Sequence, residues 1–289
     1  MDSQLQWSDV SVEFESAEEY HARPGISTSR LKKLLKSPEE FDMEFNQGTL
    51  VRKATDPMDF GSALHEDLLL EAVERSWVVI PPEALSKPKK AGEDGARIGK
   101  AWDAFKAAHP GRLLLKSGDV ERIAGCVAGI KQNPIARDLL FGDRDGKASL
   151  YRVRTEVTLT ATVSMTHHGE FLSETFRGRL DYLRPRVVVD LKSTGEADIE
   201  QLPYRFRDLG YDMQAAAYQT LAGLLDQVAR DVHFVVVETK PPYRCDVWEA
   251  KPRTIDEGRQ KLEHAIMDYL VRRNEGNWVR GYCGQLLQF

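Results

Sequence analysis

Arg177-Gly178-Arg179-Leu180-Asp181-Tyr182-Leu183-Arg184-Pro185-Arg186-Val187-Val188-Val189-Asp190-Leu191-Lys192-Ser193-Thr194 is the stretch that decides how this chain is read. Arg184-Pro185-Arg186 is a turn signal between two runs rich in apolar and β-branched residues. Residues 171–183 and 187–193 are therefore predicted as strands of an antiparallel hairpin. Strand side chains alternate with a period of two, which puts Asp190 and Lys192 on one face and Leu191 on the other. A hairpin centred between Pro185 and Arg186 sets Asp181 directly opposite Asp190, with Cβ atoms about 4.5–5.5 Å apart. Proline does not fit a tight primed turn, so a four-residue connection with unchanged pairing is expected.

Two carboxylates facing each other destabilise a sheet, and more so at the edge of a core marked by Val187-Val188-Val189. A cation between them removes the conflict. Hard oxygen ligands suit Mg²⁺ or Mn²⁺, and a lysine two residues on can orient or deprotonate a water, or stabilise charge on a phosphate. The competing reading pairs Asp181 with Arg179 or Arg184 and makes Asp190 and Lys192 an edge-strand salt bridge.

Outward from the hairpin, hydroxyls at 27–29 and the capping box Ser37-Pro38-Glu39-Glu40 open two short helices. Residues 61–74 read as a buried helix, 77–80 as a short strand, 86–100 as a mobile basic loop and 119–140 as helical. Strands 151–162, 171–183 and 187–193 precede a helix at about 211–228. A β-branched strand follows at 233–239, buried on both faces, then a turn at Pro241-Pro242 and a strand at 244–250. Thr254-Ile255-Asp256-Glu257 reads as a capping box for a long helix ending near 273. This order predicts an α/β or α+β three-layer arrangement. A single domain over 1–289 is expected, with helical elements at about 20–75 and a catalytic core at about 150–275.

The chain has 289 residues, 42% of them hydrophobic, enough to bury a sizeable core. No run of about 18 apolar residues occurs and the start lacks a basic-then-apolar pattern, so a cytoplasmic protein without a membrane span is expected. Cys126, Cys245 and Cys283 form no CxxC pair, which gives no zinc spacing and too few thiolates for a four-cysteine cluster. A net charge of −5 argues against coating nucleic acid by bulk attraction, but leaves a segregated basic face open.

Three further positions stand out. His65 shares a helix with Gly61, Leu64 and Leu68, and an imidazole facing the sheet would complete a metal shell; alternatively it is a satisfied core or surface group. Gln214 and Tyr218, four apart, share a helix face and suit a phosphate or base edge, although a helix carrying Ala215, Ala216 and Ala217 is also an ordinary core helix.

Gly61 with His65, Gly178 with Asp181, Asp190 with Lys192, and Gln214 with Tyr218, in that order, resemble the motifs of the RecB-type branch of the PD-(D/E)xK nucleases. ARPGISTSRLKKLLKSPEEF at 22–41 and ARIGKAW at 96–102 look closer still to RecE-type exonucleases (the exodeoxyribonuclease VIII nuclease domain), over roughly residues 20–275. The resemblance implies a three-layer fold, a central mixed sheet with an antiparallel catalytic hairpin flanked by helices. It implies a Mg²⁺-dependent exonuclease, with Mn²⁺ substituting, that degrades linear double-stranded DNA 5′ to 3′ during recombination. A homo-oligomer, often a ring, and a single-strand annealing partner are implied with it. In that family the positions of His65, Asp181, Asp190 and the Leu191 carbonyl hold metal, and Lys192 assists the water. Gln214 and Tyr218 lie near DNA or support the site, and Glu156 matches a further acidic position, beside the first metal or on a second. Asp190 departs from the commoner glutamate.

Two placements concern DNA. Lys87, Lys89, Lys90, Arg97 and Lys100 are either a solvated linker or a phosphate-tracking clamp. Arg23 and Ser29, at a helix start, match the terminal 5′-phosphate site of lambda-type exonucleases; alternatively Ser27 or Thr28 simply caps the helix. Competing functions are an endonuclease or single-strand exonuclease of the same fold, and a module that binds DNA ends without cutting.

Overall fold

The computed structural model describes residues 4–50, 56–69, 75–87, 95–142, 154–195 and 202–280. A six-stranded mixed sheet forms the middle layer, in the order β1 (Gln6–Glu13), β4 (Arg154–His167), β5 (Glu170–Leu183), β6 (Val187–Thr194), β7 (Asp231–Glu238), β8 (Cys245–Glu249). Only β6 and β7 pair in parallel; the other neighbours are antiparallel. A parallel pair needs a crossover, which α8 (Leu202–Asp208) and α9 (Tyr211–Asp226) supply. A small parallel sheet joins β2 (Trp77–Val79) to β3 (Leu113–Leu115).

Each face of the sheet carries a helical layer because the strands are apolar on both sides. On one face lie α2 (Thr28–Lys36), α3 (Pro38–Phe41), α9 and α10 (Pro252–Glu275), with Leu31, Leu34, Phe41, Leu221, Ala265 and Leu270 fully covered. On the other lie α4 (Asp56–Leu69), α6 (Asp119–Gln132) and α7 (Pro134–Phe141), through Leu64, Ile123, Ile130 and Leu140. Strand β7 shows the sorting directly: Val232, Phe234 and Val236 face the first layer, Val235 and Val237 the second. Covering one such side chain is worth about 1.5–3 kcal/mol.

The hairpin register follows the sequence reading, with Tyr182 opposite Val189 and Leu183 opposite Val188. Four residues separate the last pair, and the Arg184 N–H closes the turn on the Val187 carbonyl at 2.9 Å.

Several boundaries differ from expectation. Strand β1 was not predicted: Asp9 takes a left-handed φ of 52°, and a register shift between Ser8 and Ser11 breaks the period-two pattern that would have shown it. Ser16 and Glu19 form a capping box that opens α1 (Ala17–Ala22). The helix expected at 119–140 is two helices, because Pro134 cannot donate and Asn133 caps the second through Ile135 and Ala136. Helix α10 starts at Pro252, ahead of the predicted capping box, and Glu257 instead binds Arg253 at 2.8 Å. Helix α4 begins at Asp56, with Pro57 in its first turn. Within the stretch expected as a basic loop, α5 (Lys100–Ala108) begins at Lys100, while Lys89 and Lys90 lie outside the described residues.

Candidate active site

The site forms where β4, β5 and β6 meet α4 and α9. Gly178 eases the close approach of α9: a Cβ there would stand 2.8 Å from Leu221 Cδ1, so a side chain would have to displace the Leu221 tip. Tyr218 arrives with that helix.

Past Val189 the two hairpin strands stop pairing, and the Leu191 N–H donates instead to the Asp181 carboxylate at 2.7 Å. The Leu191 carbonyl faces His65 Nε2 at 3.0 Å. On its other edge, His65 Nδ1 stands 3.5 Å from both Glu156 Oε1 and Asp181 Oδ1. Glu156 has a left-handed φ of 51° inside a strand, a conformation costing a non-glycine residue on the order of 1–3 kcal/mol. Arg179 donates to Glu156 at 2.6 Å, and to the Glu15 carbonyl at 2.8 Å.

Asp190 is 1% exposed and belongs to a second group. Its Oδ2 lies 2.5 Å from Lys192 Nζ, while Oδ1 accepts from Gln214 at 3.1 Å and stands 3.2 Å from the Tyr218 hydroxyl. Gln214 also donates to that hydroxyl at 2.7 Å, and the Arg179 carbonyl offers it a second acceptor at 2.9 Å. Gln214 and Tyr218, expected near DNA or in support of the site, are thus turned toward Asp190, with Tyr218 buried.

The charges are strongly perturbed. Burial alone would lower His65, but Asp181 and then Glu156 outweigh it and raise it to about 9. Asp181 is raised to about 7, first by burial and then by Asp190 and Glu156, against the pull of His65. Burial also opposes ionisation of Glu156, yet His65 and Arg179 hold it below the usual range. Lys192 is raised despite burial, because Asp190 and Asp181 favour its ammonium. The protonated imidazole thus holds two carboxylates together.

A divalent ion fits the same place. The ligand atoms of His65, Glu156 and Asp181 all lie within 4.8 Å of one another. Two ligands at about 2.1 Å from one ion stand at most about 4.2 Å apart, so small adjustments suffice. One imidazole with two carboxylates and a nearby carbonyl suits Mg²⁺ or Mn²⁺.

The remaining predicted positions lie elsewhere. Arg23 caps the end of α1 and pairs with Glu13 at 3.7 Å and Glu15 at 3.2 Å. Ser27 caps α2, and Ser29 is exposed with its hydroxyl 3.0 Å from that of Ser27. Arg97 binds Asp56 at 2.8 Å and the Leu114 carbonyl at 3.1 Å, which ties it into the fold, whereas Lys100 is exposed.

A six-stranded mixed sheet between helical layers, with acidic residues and a lysine on adjoining strands, is the PD-(D/E)xK nuclease fold. A protein from Eubacterium rectale described as a candidate exonuclease has a similar structure, with a TM-score of 0.57 at 15% identity over 96% of both chains. Residues 161–286 match a family described as a PDDEXK-like domain of unknown function (DUF3799). Two further structures, SSO0001 (15% identity, 77% of this chain and 96% of that one) and Rai1 of Scheffersomyces stipitis (13%, 59% and 47%), score 0.29 and 0.26 and bear on nothing here. Comparison with curated proteins finds no match. Among the described residues, no helix is long and apolar enough to cross a membrane.

Proposed function

We propose that this chain is a divalent-metal-dependent deoxyribonuclease. The observation that carries the reading is the convergence of His65, Glu156 and Asp181 from three separate elements beside the Leu191 carbonyl and the Asp190–Lys192 pair. His65, Glu156 and Asp181 would hold the ion, with Asp190 and the Leu191 carbonyl adjoining. When bound, such an ion polarises a phosphate and lowers the pKa of a water.

The chain's own groups have separable parts. Lys192 is held as an ammonium, so its part is to donate to developing negative charge on the phosphate rather than to remove a proton. Asp190 fixes that ammonium, and Gln214 and Tyr218 fix Asp190. Arg179 steadies Glu156.

Within this class we favour an exonuclease acting 5′ to 3′ on linear duplex DNA. The similarity to the Eubacterium rectale protein and the RecE-type resemblance support it. The same resemblance suggests a homo-oligomer working beside an annealing protein, which light scattering and co-purification test. The discriminating experiment supplies duplexes labelled at either end, and a covalently closed circle, with Mg²⁺ or Mn²⁺ and with chelator. Metal-dependent release from the 5′ end with the circle intact is expected. Cutting of the circle would make it an endonuclease, release first from the 3′ end would reverse the polarity, and a bound but uncut duplex would leave an end-binding module.

A further inference from the structure

Helix α2 crosses over the start of α9, and Lys32 runs through the notch this makes. Gly210, at φ +64°, forms the notch: a Cβ there would stand 2.8 Å from Lys32 Cε and 3.3 Å from its Cδ. Beyond it, Lys32 Nζ lies 5.2 Å from the centroid of the Tyr211 ring. Lys192 Nζ lies 5.1 Å from the same centroid. The two ammonium groups are therefore no more than about 10 Å apart, on one shared ring.

Lys32 also lines a groove of about 1080 Å³ running between α2 and the α8–α9 junction. Of the other cations of that groove, Lys33 is paired with Glu40 and Glu44, Lys261 with Asp212 and Arg207 with Glu257, while Lys36 is exposed to solvent, unlike half-buried Lys32. Among the described residues, no carboxylate comes within 4.0 Å of Lys32. Burial, and then the neighbouring Lys192, push it down to about 8. A half-buried ammonium, held in place near a second ammonium whose own partner is Asp190, and with no carboxylate in contact with it, is an arrangement that a bound anion would stabilise.

Building on the nuclease reading, we propose that Lys32 is a second substrate-binding ammonium, contacting the DNA phosphate next to the one that Lys192 attends. Its aliphatic stem is positioned by Gly210, and Tyr211 sets its separation from Lys192. The groove then carries the adjoining backbone away from the site.

The test measures binding of a labelled linear duplex by fluorescence anisotropy in chelator, across a salt series, for wild type, Lys32→Met and Lys32→Arg. Methionine keeps the stem over Gly210 and removes the charge, so thermal unfolding should be unchanged. Lys32→Met should bind about tenfold more weakly at low salt, and the slope of log affinity against log salt should shrink by about 1, as expected for one lost phosphate contact. Lys32→Arg should keep the wild-type slope. In cleavage with metal, Lys32→Met should raise KM and leave kcat within about threefold. A wild-type slope in Lys32→Met overturns the proposal. Wild type that binds without cutting overturns the nuclease reading instead, and the slope still decides on Lys32. Wild type that does not bind overturns both.

Discussion

Replacing Lys192 by methionine leaves Asp190, which is 1% exposed, as a buried carboxylate without its cation. Breaking a buried pair from one side costs about 3–5 kcal/mol, mostly the desolvation of the stranded charge. Gln214 and Tyr218 still face Asp190, which places the cost near the lower end, about 3 kcal/mol. The sign with pH is definite. Lys192 is raised, so its stabilisation is fully present below the ordinary lysine value and is lost only as pH rises through the raised one. Between pH 6 and 9 Lys192 itself stays an ammonium, so the cost should change only as neighbouring Asp181 ionises near pH 7, and should grow there. Urea unfolding in chelator at pH 7 reads it directly, and a loss of about 3 kcal/mol should lower Tm by roughly 6–10 °C in a chain of this size. Pairing Lys192→Met with Asp190→Asn removes both charges and should recover at least about 1.5 kcal/mol. Stability of Lys192→Met within about 1 kcal/mol of wild type, or a double variant no better than the single, would refute this reasoning.

Three other outcomes follow from the same geometry. In chelator, thermal stability should fall as pH rises from about 5, above the range in which depressed carboxylates such as Glu156 gain their stabilisation, to 9. Raised Asp181 makes the folded state bind the extra proton up to about pH 7, and the stabilisation from raised His65, fully present below 6.5, is lost through about 9. Saturating Mn²⁺ should flatten that decline, with metal affinity rising as the protons leave, and calorimetry at pH 6 and 8 checks it. Glu156→Gln should weaken Mn²⁺ binding at least tenfold while the fold survives by circular dichroism; unchanged affinity would exclude Glu156 as a ligand. Arg97→Gln should lower Tm, since it leaves Asp56 with Lys116 alone and frees the Leu114 carbonyl, and should leave the salt slope of DNA binding alone; a flatter slope would restore the clamp reading.

The hairpin was legible because its turn is: Pro185-Arg186 fixes the centre, and period two then fixes which residues face each other. What lay beyond was decided by packing. No local signal says that the strands part after Val189 and hand the Leu191 N–H to Asp181. Asp190 was read as facing Asp181 across a cation, whereas the structure surrounds it with Lys192, Gln214 and Tyr218. The shared face of Gln214 and Tyr218 was readable from their spacing, but their target depends on how closely Gly178 admits α9. Glu156 entered through resemblance, and its left-handed backbone has no sequence signature. Lys32 gave no signal, since its surroundings come from Gly210 and Tyr211, far along the chain; on sequence it is one of several lysines on an amphipathic helix. Strand β1 is hidden by a bulge at Asp9, whereas the break between α6 and α7 does carry a local signal in Asn133-Pro134.

The central claim is that one divalent ion binds where His65, Glu156 and Asp181 converge, beside the Leu191 carbonyl. Crystals grown with Mn²⁺ and measured above and below its absorption edge test this without reference to any substrate. An anomalous peak within about 2.0–2.4 Å of a nitrogen of His65 and a carboxylate oxygen of Asp181 is predicted. Full occupancy by Mn²⁺ elsewhere in the chain, with His65 still bridging Glu156 and Asp181, would contradict it.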